Sequence, residues 1–229
     1  MKGLETMKIA RKTLLLLVSL LAAALLLAAC GNAPAEPEAP AEPTIVASWE
    51  GDVDLTGFLE GLYSYKDVIF PFDPIVGKLS FTFRDDGTFE RAATIDPSYK
   101  ETLRKGLLAA VDDYYKAFLD DENADTEAFI VEELGYESTE DYVDHLVAGM
   151  DLTAALGAID MAGAYRFDGS RLDMEKTAAD FGKNGYTVAV LTADTLTLSS
   201  VEDYIPDEEV YDSYKDFVTR FMPITLQKK

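Results

Sequence analysis

Apolar and polar residues alternate in several short stretches of this chain, and each alternation predicts a strand with one buried face. In residues 45–55, Ile45, Ala47, Trp49, Gly51, Val53 and Leu55 share one face, with Val46, Ser48, Glu50, Asp52 and Asp54 on the other. Leu79, Phe81 and Phe83 repeat the pattern, Asp85-Asp86-Gly87 supplies a turn, and Phe89 to Thr94 returns as the second arm of a hairpin. Between these strands, Gly57 to Tyr65 predicts a short helix and Phe70-Pro71-Phe72-Asp73-Pro74 a stiff loop.

The period then lengthens. Asp96-Pro97 reads as an N-cap followed by an N1 proline. Leu103, Leu107, Val111, Tyr114 and Phe118 follow at steps of three and four, forming one helical face. Asp125 or Thr126 opens a second helix with Phe129, Ile130 and Leu134 inside and Gly135 as its stop. Ser138 with Asp141 resembles a capping box for a third helix through Tyr142, Leu146 and Met150, and Leu152 to Ile159 is a short fourth. Period two resumes near Ala162. Tyr165 and Phe167 alternate, Asp168-Gly169-Ser170 turns, and Leu172 and Met174 alternate. Tyr186, Val188 and Val190 form another strand, turned at Ala193-Asp194 into Leu196 and Leu198. A helix near Glu208–Val218 precedes a last strand with Met222, Ile224 and Leu226.

That makes eight strands. Short antiparallel strands in this number suit an up-and-down barrel, which leaves no sheet edge exposed. The expected fold is mainly β with an α insertion: a domain over 44–229 whose helical insertion, 96–161, lies between strands 3 and 4. Trp49, Phe81, Phe83, Tyr165, Phe167 and Met174 are large inward residues, and they lean toward a filled interior.

The first 29 residues read differently. Lys8, Arg11 and Lys12 precede an apolar run from Leu14 to Leu27 of signal-peptide length, too short for a comfortable membrane span. Leu27-Ala28-Ala29-Cys30 then places the single cysteine after two small residues. This segment resembles the lipobox of bacterial lipoproteins, and the resemblance implies cleavage before Cys30 and acylation of its thiol. Two or three acyl chains hold a protein stably where one is marginal. Residues 30–43, rich in Ala, Pro and Glu, predict a disordered, semi-stiff spacer. The expected location is the extracytoplasmic face of a cell membrane, and a second resemblance, carried by the folded part, implies a Gram-positive bacterium.

Within the folded part, Ala47-Ser48-Trp49, Phe83-Arg84-Asp85-Asp86-Gly87-Thr88, Gly163-Ala164-Tyr165-Arg166-Phe167-Asp168-Gly169 with Arg171-Leu172, and Asp194-Thr195-Leu196-Thr197-Leu198 occur in that order. Their succession resembles lipocalin-like domains of uncharacterised Gram-positive lipoproteins. Trp49 matches the tryptophan of the G-x-W signature, with Ala47 in place of its glycine. The resemblance implies an arginine packed over Trp49, for which Arg220 and Lys228 are the nearby candidates. It also implies binding of a small apolar molecule or a protein partner. Trp49, Phe83, Tyr114, Tyr165 and Phe167 are the expected ligand contacts.

Charge and chemistry narrow this further. The formal net charge is -22, and the part after residue 29 keeps 16 basic against 41 acidic residues, a net charge of -25. Such a surface repels nucleic acid and anionic headgroups and attracts cations. His145 is the sole histidine, and no nucleophile motif, P-loop or G-x-G-x-x-G stands anywhere in the chain. Asp112-Asp113 and Asp120-Asp121 are adjacent carboxylates whose members point different ways. Asp121, Asn123, Asp125, Glu127 and Glu132 occupy positions 1, 3, 5, 7 and 12 of an EF-hand-like loop, although Thr126 stands where the turn wants glycine. An acidic interhelical turn with N-caps accounts for the same residues. The sequence reading is therefore a non-enzymatic, cofactor-free binding domain on a lipid anchor. Its alternative is an interaction lipoprotein with a filled barrel, whose helices contact another envelope protein.

Overall fold

The computed structural model describes residues 43–205 and 213–229. Cys30, the apolar N-terminal run and the spacer lie outside the described residues, as do residues 208–212 of the helix expected at 208–218. Eight strands form a closed antiparallel barrel in sequence order: β1 (Ala47–Asp54), β2 (Val76–Phe83), β3 (Thr88–Ile95), β4 (Met161–Phe167), β5 (Arg171–Glu175), β6 (Tyr186–Leu191), β7 (Thr195–Glu202) and β8 (Ile224–Lys228). Closure pairs Trp49 with Lys228 and Glu50 with Gln227.

Among the described residues, six α-helices occupy the connections. Helix α1 (Thr56–Tyr63) joins β1 to β2. Helices α2 (Tyr99–Leu119), α3 (Thr126–Glu132), α4 (Thr139–Gly149) and α5 (Leu152–Gly157) all fall between β3 and β4, and α6 (Ser213–Phe221) precedes β8. The connections are polarised. Tight turns at 84–87, 168–170 and 192–194 close one end of the barrel, and every described helix attaches at the other. The β2–β3 turn shows the local cause. Asp86 accepts from the Thr88 amide and hydroxyl, and Gly87 takes φ +79°, where a side chain would be strained.

The helix caps are readable chemistry. Asp125, Ser138 and Asp151 accept from the amides of Ala128, Asp141 and Ala154. Each such cap stabilises its helix by about 1 kcal/mol. Asp141 reaches back to the Glu137 amide rather than to Ser138. Some expectations are corrected. Helix α2 begins at Tyr99, and Asp96 instead makes a turn by accepting from the Ser98 amide. The apolar stripe of α2 is buried at Leu103, Leu107 and Val111 but emerges at Phe118, and Leu134 is exposed beyond the end of α3.

Strand β6 inverts the expected face. Thr187 and Ala189 are buried, while Val190 is 54% exposed. Tyr186 lies on the outer side, where the Arg171 guanidinium sits 4.1 Å from its ring centroid. A bulge between the Thr187 and Ala189 pairings skips one residue of β7, so Val201 faces Thr187 and Leu198 faces Ala189.

Asp173 on β5 is only 1% exposed. Arg171 grips it through two nitrogens at 2.9 and 3.0 Å, and Arg166 adds a contact at 2.9 Å. Burial pushes its carboxyl up, but the two guanidiniums more than offset that and hold it below the ordinary value. A carboxyl depressed in the folded state adds stability above its unfolded pKa, and that stability is lost as pH falls through the folded value. Unfolding free energy is expected to drop below about pH 4. Asp173→Asn should flatten this limb in urea titrations; an unaltered slope would assign the loss to other carboxylates.

Candidate functional site

The barrel interior is occupied by its own side chains. Trp49, Phe81, Phe83, Phe89, Leu172, Leu196, Leu198 and Leu226 are fully buried. The Phe81 and Phe83 rings lie parallel with centroids 5.7 Å apart, and Tyr165 meets Phe83 edge-on at 4.9 Å. Trp49 Nε1 donates to the Ile45 carbonyl at 2.8 Å, and the Lys228 ammonium stands 5.7 Å from its ring centroid. Arg220, the other cation considered, lies over Phe58 instead. The Tyr165 hydroxyl donates to the Arg84 carbonyl at 2.8 Å. Four of the five expected contact residues, Trp49, Phe83, Tyr165 and Phe167, thus belong to the barrel strands, with Phe83, Tyr165 and Phe167 next to tight turns. Tyr114 lies apart from them on α2.

At the opposite end, α6 lays a tyrosine and a lysine into the barrel mouth. Tyr214 is buried against Phe81, with the Arg91 guanidinium 3.8 Å from its ring centroid. Arg91 also donates to the Ile159 carbonyl at 2.7 Å. The buried Lys215 ammonium lies 3.6 Å from Glu175 and donates to the Asn184 carbonyl. Asn184 in turn donates to Glu175 at 3.2 Å. Sequence reasoning missed this polar cluster. One signal existed: Arg91 sits at the inward position between Phe89 and Ala93.

Beside this plug lies a cleft of about 350 Å³. Leu55 and Phe58 from the start of α1, Leu152 and Leu156 from α5, and Phe217 and Phe221 from α6 form its apolar walls. They converge because the amphipathic faces of three short helices meet over one barrel rim. The Phe58 and Phe221 rings meet edge-on at 6.1 Å. Arg220 is the single charged residue of the lining, its guanidinium 5.5 Å from the Phe58 ring centroid. Among the described residues the lining holds no acid and no nucleophile. Such a cleft can bind an apolar body and one anionic group.

A second recess, of about 230 Å³, lies between α1, the loop after it, α2 and α4. Tyr114 lines it together with Tyr63, Phe70, Tyr115 and Tyr142. The Tyr115 hydroxyl donates to that of Tyr142 at 2.9 Å. His145 is exposed on α4, its ring 5.4 Å from that of Tyr136.

The oxygens of the EF-hand-like stretch serve the backbone. Asp121 accepts from the Asn123 amide, Asp125 caps α3, and Glu127 accepts from the Thr139 amide and hydroxyl at the start of α4. Glu132 is the last residue of α3. Among the described residues, no three acidic, histidine or cysteine side chains are grouped to hold a metal. Among them, too, no helix is long and apolar enough to cross a membrane.

No protein-family model, curated protein or solved structure matches this chain.

Proposed function

We propose that this chain is a lipoprotein, anchored through acylated Cys30 outside the membrane, whose lipocalin-like barrel displays a non-enzymatic binding site for a small apolar or amphiphilic molecule. The apolar cleft of about 350 Å³ with its one guanidinium carries the reading. Its volume lies in the usual range of small-molecule sites. Filling of the barrel interior by side chains supports a ligand site at the helical mouth on this reading, with an anionic end of the ligand toward Arg220. Trp49 on β1 and Lys228 beside it support the lipocalin-like resemblance. The runner-up is an interaction lipoprotein, favoured by the filled interior and by exposed Leu62, Ile69 and Phe118.

Native mass spectrometry of the full-length protein, extracted from its own membrane, tests both. The expected result is an acyl mass on the Cys30 peptide and a retained small molecule. Ala155→Trp, which fills the cleft from an exposed position, should remove that molecule without changing the circular dichroism spectrum. A preparation free of small molecules but holding a stoichiometric protein partner would replace the first reading with the second.

A further inference from the structure

We propose that the tyrosine-lined recess is a separate site, one that binds a quaternary ammonium group. Five of its eleven lining residues are aromatic, and their rings contact one another in a continuous chain. Centroid separations are 5.7 Å for Tyr63 and Phe70, 5.8 Å for Phe70 and Tyr114, 5.3 Å for Tyr114 and Tyr115, and 5.9 Å for Tyr115 and Tyr142. Successive planes are inclined at 53°, 54°, 83° and 63°, as the panels of a cup are and a flat stack is not. Aromatic walls around a small void attract a cation through the negative faces of their π-systems.

The chemistry of the lining selects among cations. No charged side chain lines the recess. A primary ammonium is strongly hydrated and needs acceptors to replace its water, whereas a quaternary ammonium has no N–H to satisfy. Burial raises the hydroxyl pKa values of Tyr63, Tyr114 and Tyr115, so a guest would meet neutral phenols rather than phenolates at physiological pH. A sugar would ask for free carboxylate or amide groups, and the Tyr115 and Tyr142 hydroxyls are already bonded to each other. The size agrees. About 230 Å³ falls below the drug-sized range and suits a head group. The long-range field agrees as well, because a net charge of -22 concentrates cations at the surface. The site shares no lining residue with the mouth cleft and does not depend on it.

Calorimetric titration of the folded protein with choline, against 3,3-dimethylbutan-1-ol as its uncharged isostere, tests the proposal. Choline is expected to bind roughly tenfold tighter than the isostere. Tyr114→Phe should retain that binding, Tyr114→Leu should abolish it, and Ala155→Trp in the mouth cleft should leave it unaltered. Phosphatidylcholine vesicles form a second arm. Binding to both would make a lipid head group the source, and binding to free choline alone a soluble one. Equal affinity for choline and its isostere would overturn the proposal. So would the absence of choline binding up to about 30 mM, well beyond the range of a weak small-ligand site. Both results are read on the unsubstituted protein, so they hold even if Tyr114→Leu fails to fold.

Discussion

Trp49→Ala is expected to lower the unfolding free energy by about 3–5 kcal/mol, the usual cost of truncating a buried aromatic to alanine. The residue has no solvent exposure and sits on the strand that closes the barrel, opposite Phe81 on one side and Lys228 on the other. Two losses combine. The indole volume is left as a void in an interior that cannot collapse, because strands on both sides fix the spacing. The Ile45 carbonyl also loses the Nε1–H that satisfies it. Domains of this size are stable by roughly 5–15 kcal/mol, so one substitution removes a large share. Urea unfolding followed by far-ultraviolet dichroism measures it. A loss below about 1 kcal/mol would mean that the interior is loosely packed and that Trp49 is not central to it. Trp49→Phe should cost less, since the ring largely refills the space and only the donor is lost.

Gly163→Val is expected to be comparably damaging, at about 3 kcal/mol or more, for a backbone reason. Gly163 lies on β4 opposite Phe89, at the seam with β5. A Cβ at this position would fall inside van der Waals contact of the Glu175 carbonyl oxygen and 3.0 Å from its carbon. Backbone cannot swing aside as a flexible side chain can, so β4 and β5 must separate where Ala164 pairs with Glu175. That movement also disturbs Glu175, the buried partner of Lys215. Gly57→Val is the natural control, because open space surrounds the position. A Gly163→Val protein with an unchanged urea midpoint would show that the seam yields freely.

The barrel was legible because a strand with one face inside and one outside writes its burial into every second residue. Trp49, Phe81, Phe83 and Leu198 announce their strands for that reason. Periodicity names a face without saying which side of the sheet it occupies. On β6 the larger residues Tyr186, Val188 and Val190 look like the core face, yet the register with Leu172 and Leu198 turns Thr187 and Ala189 inward. A local pattern cannot count the residue that β7 skips. The mouth was legible in parts. Phe58, Leu152 and Phe217 each fall in a segment that reads as a helix, but their convergence on one cleft depends on how three connections meet over the rim. The cluster of Glu175, Lys215 and Arg91 stayed hidden because charged residues read as solvated unless a partner distant in sequence is known. Of the expected contacts, Trp49, Phe83, Tyr165 and Phe167 lie on the barrel strands and Tyr114 lines a recess between helices.

One consequence follows from the polarity of the connections. Strand β1 begins and β8 finishes at the pole of tight turns, side by side, with the Lys229 amide donating to the Ser48 carbonyl at 2.9 Å. The two ends of the domain are thus one handle at a single pole, and the helices with both recesses form the opposite pole. A tag, a fusion partner or a bead coupled through either end leaves the recesses unobstructed. A circular permutant that joins residues 229 and 43 and opens in the 84–87 turn would make all its covalent changes at the pole that carries no recess.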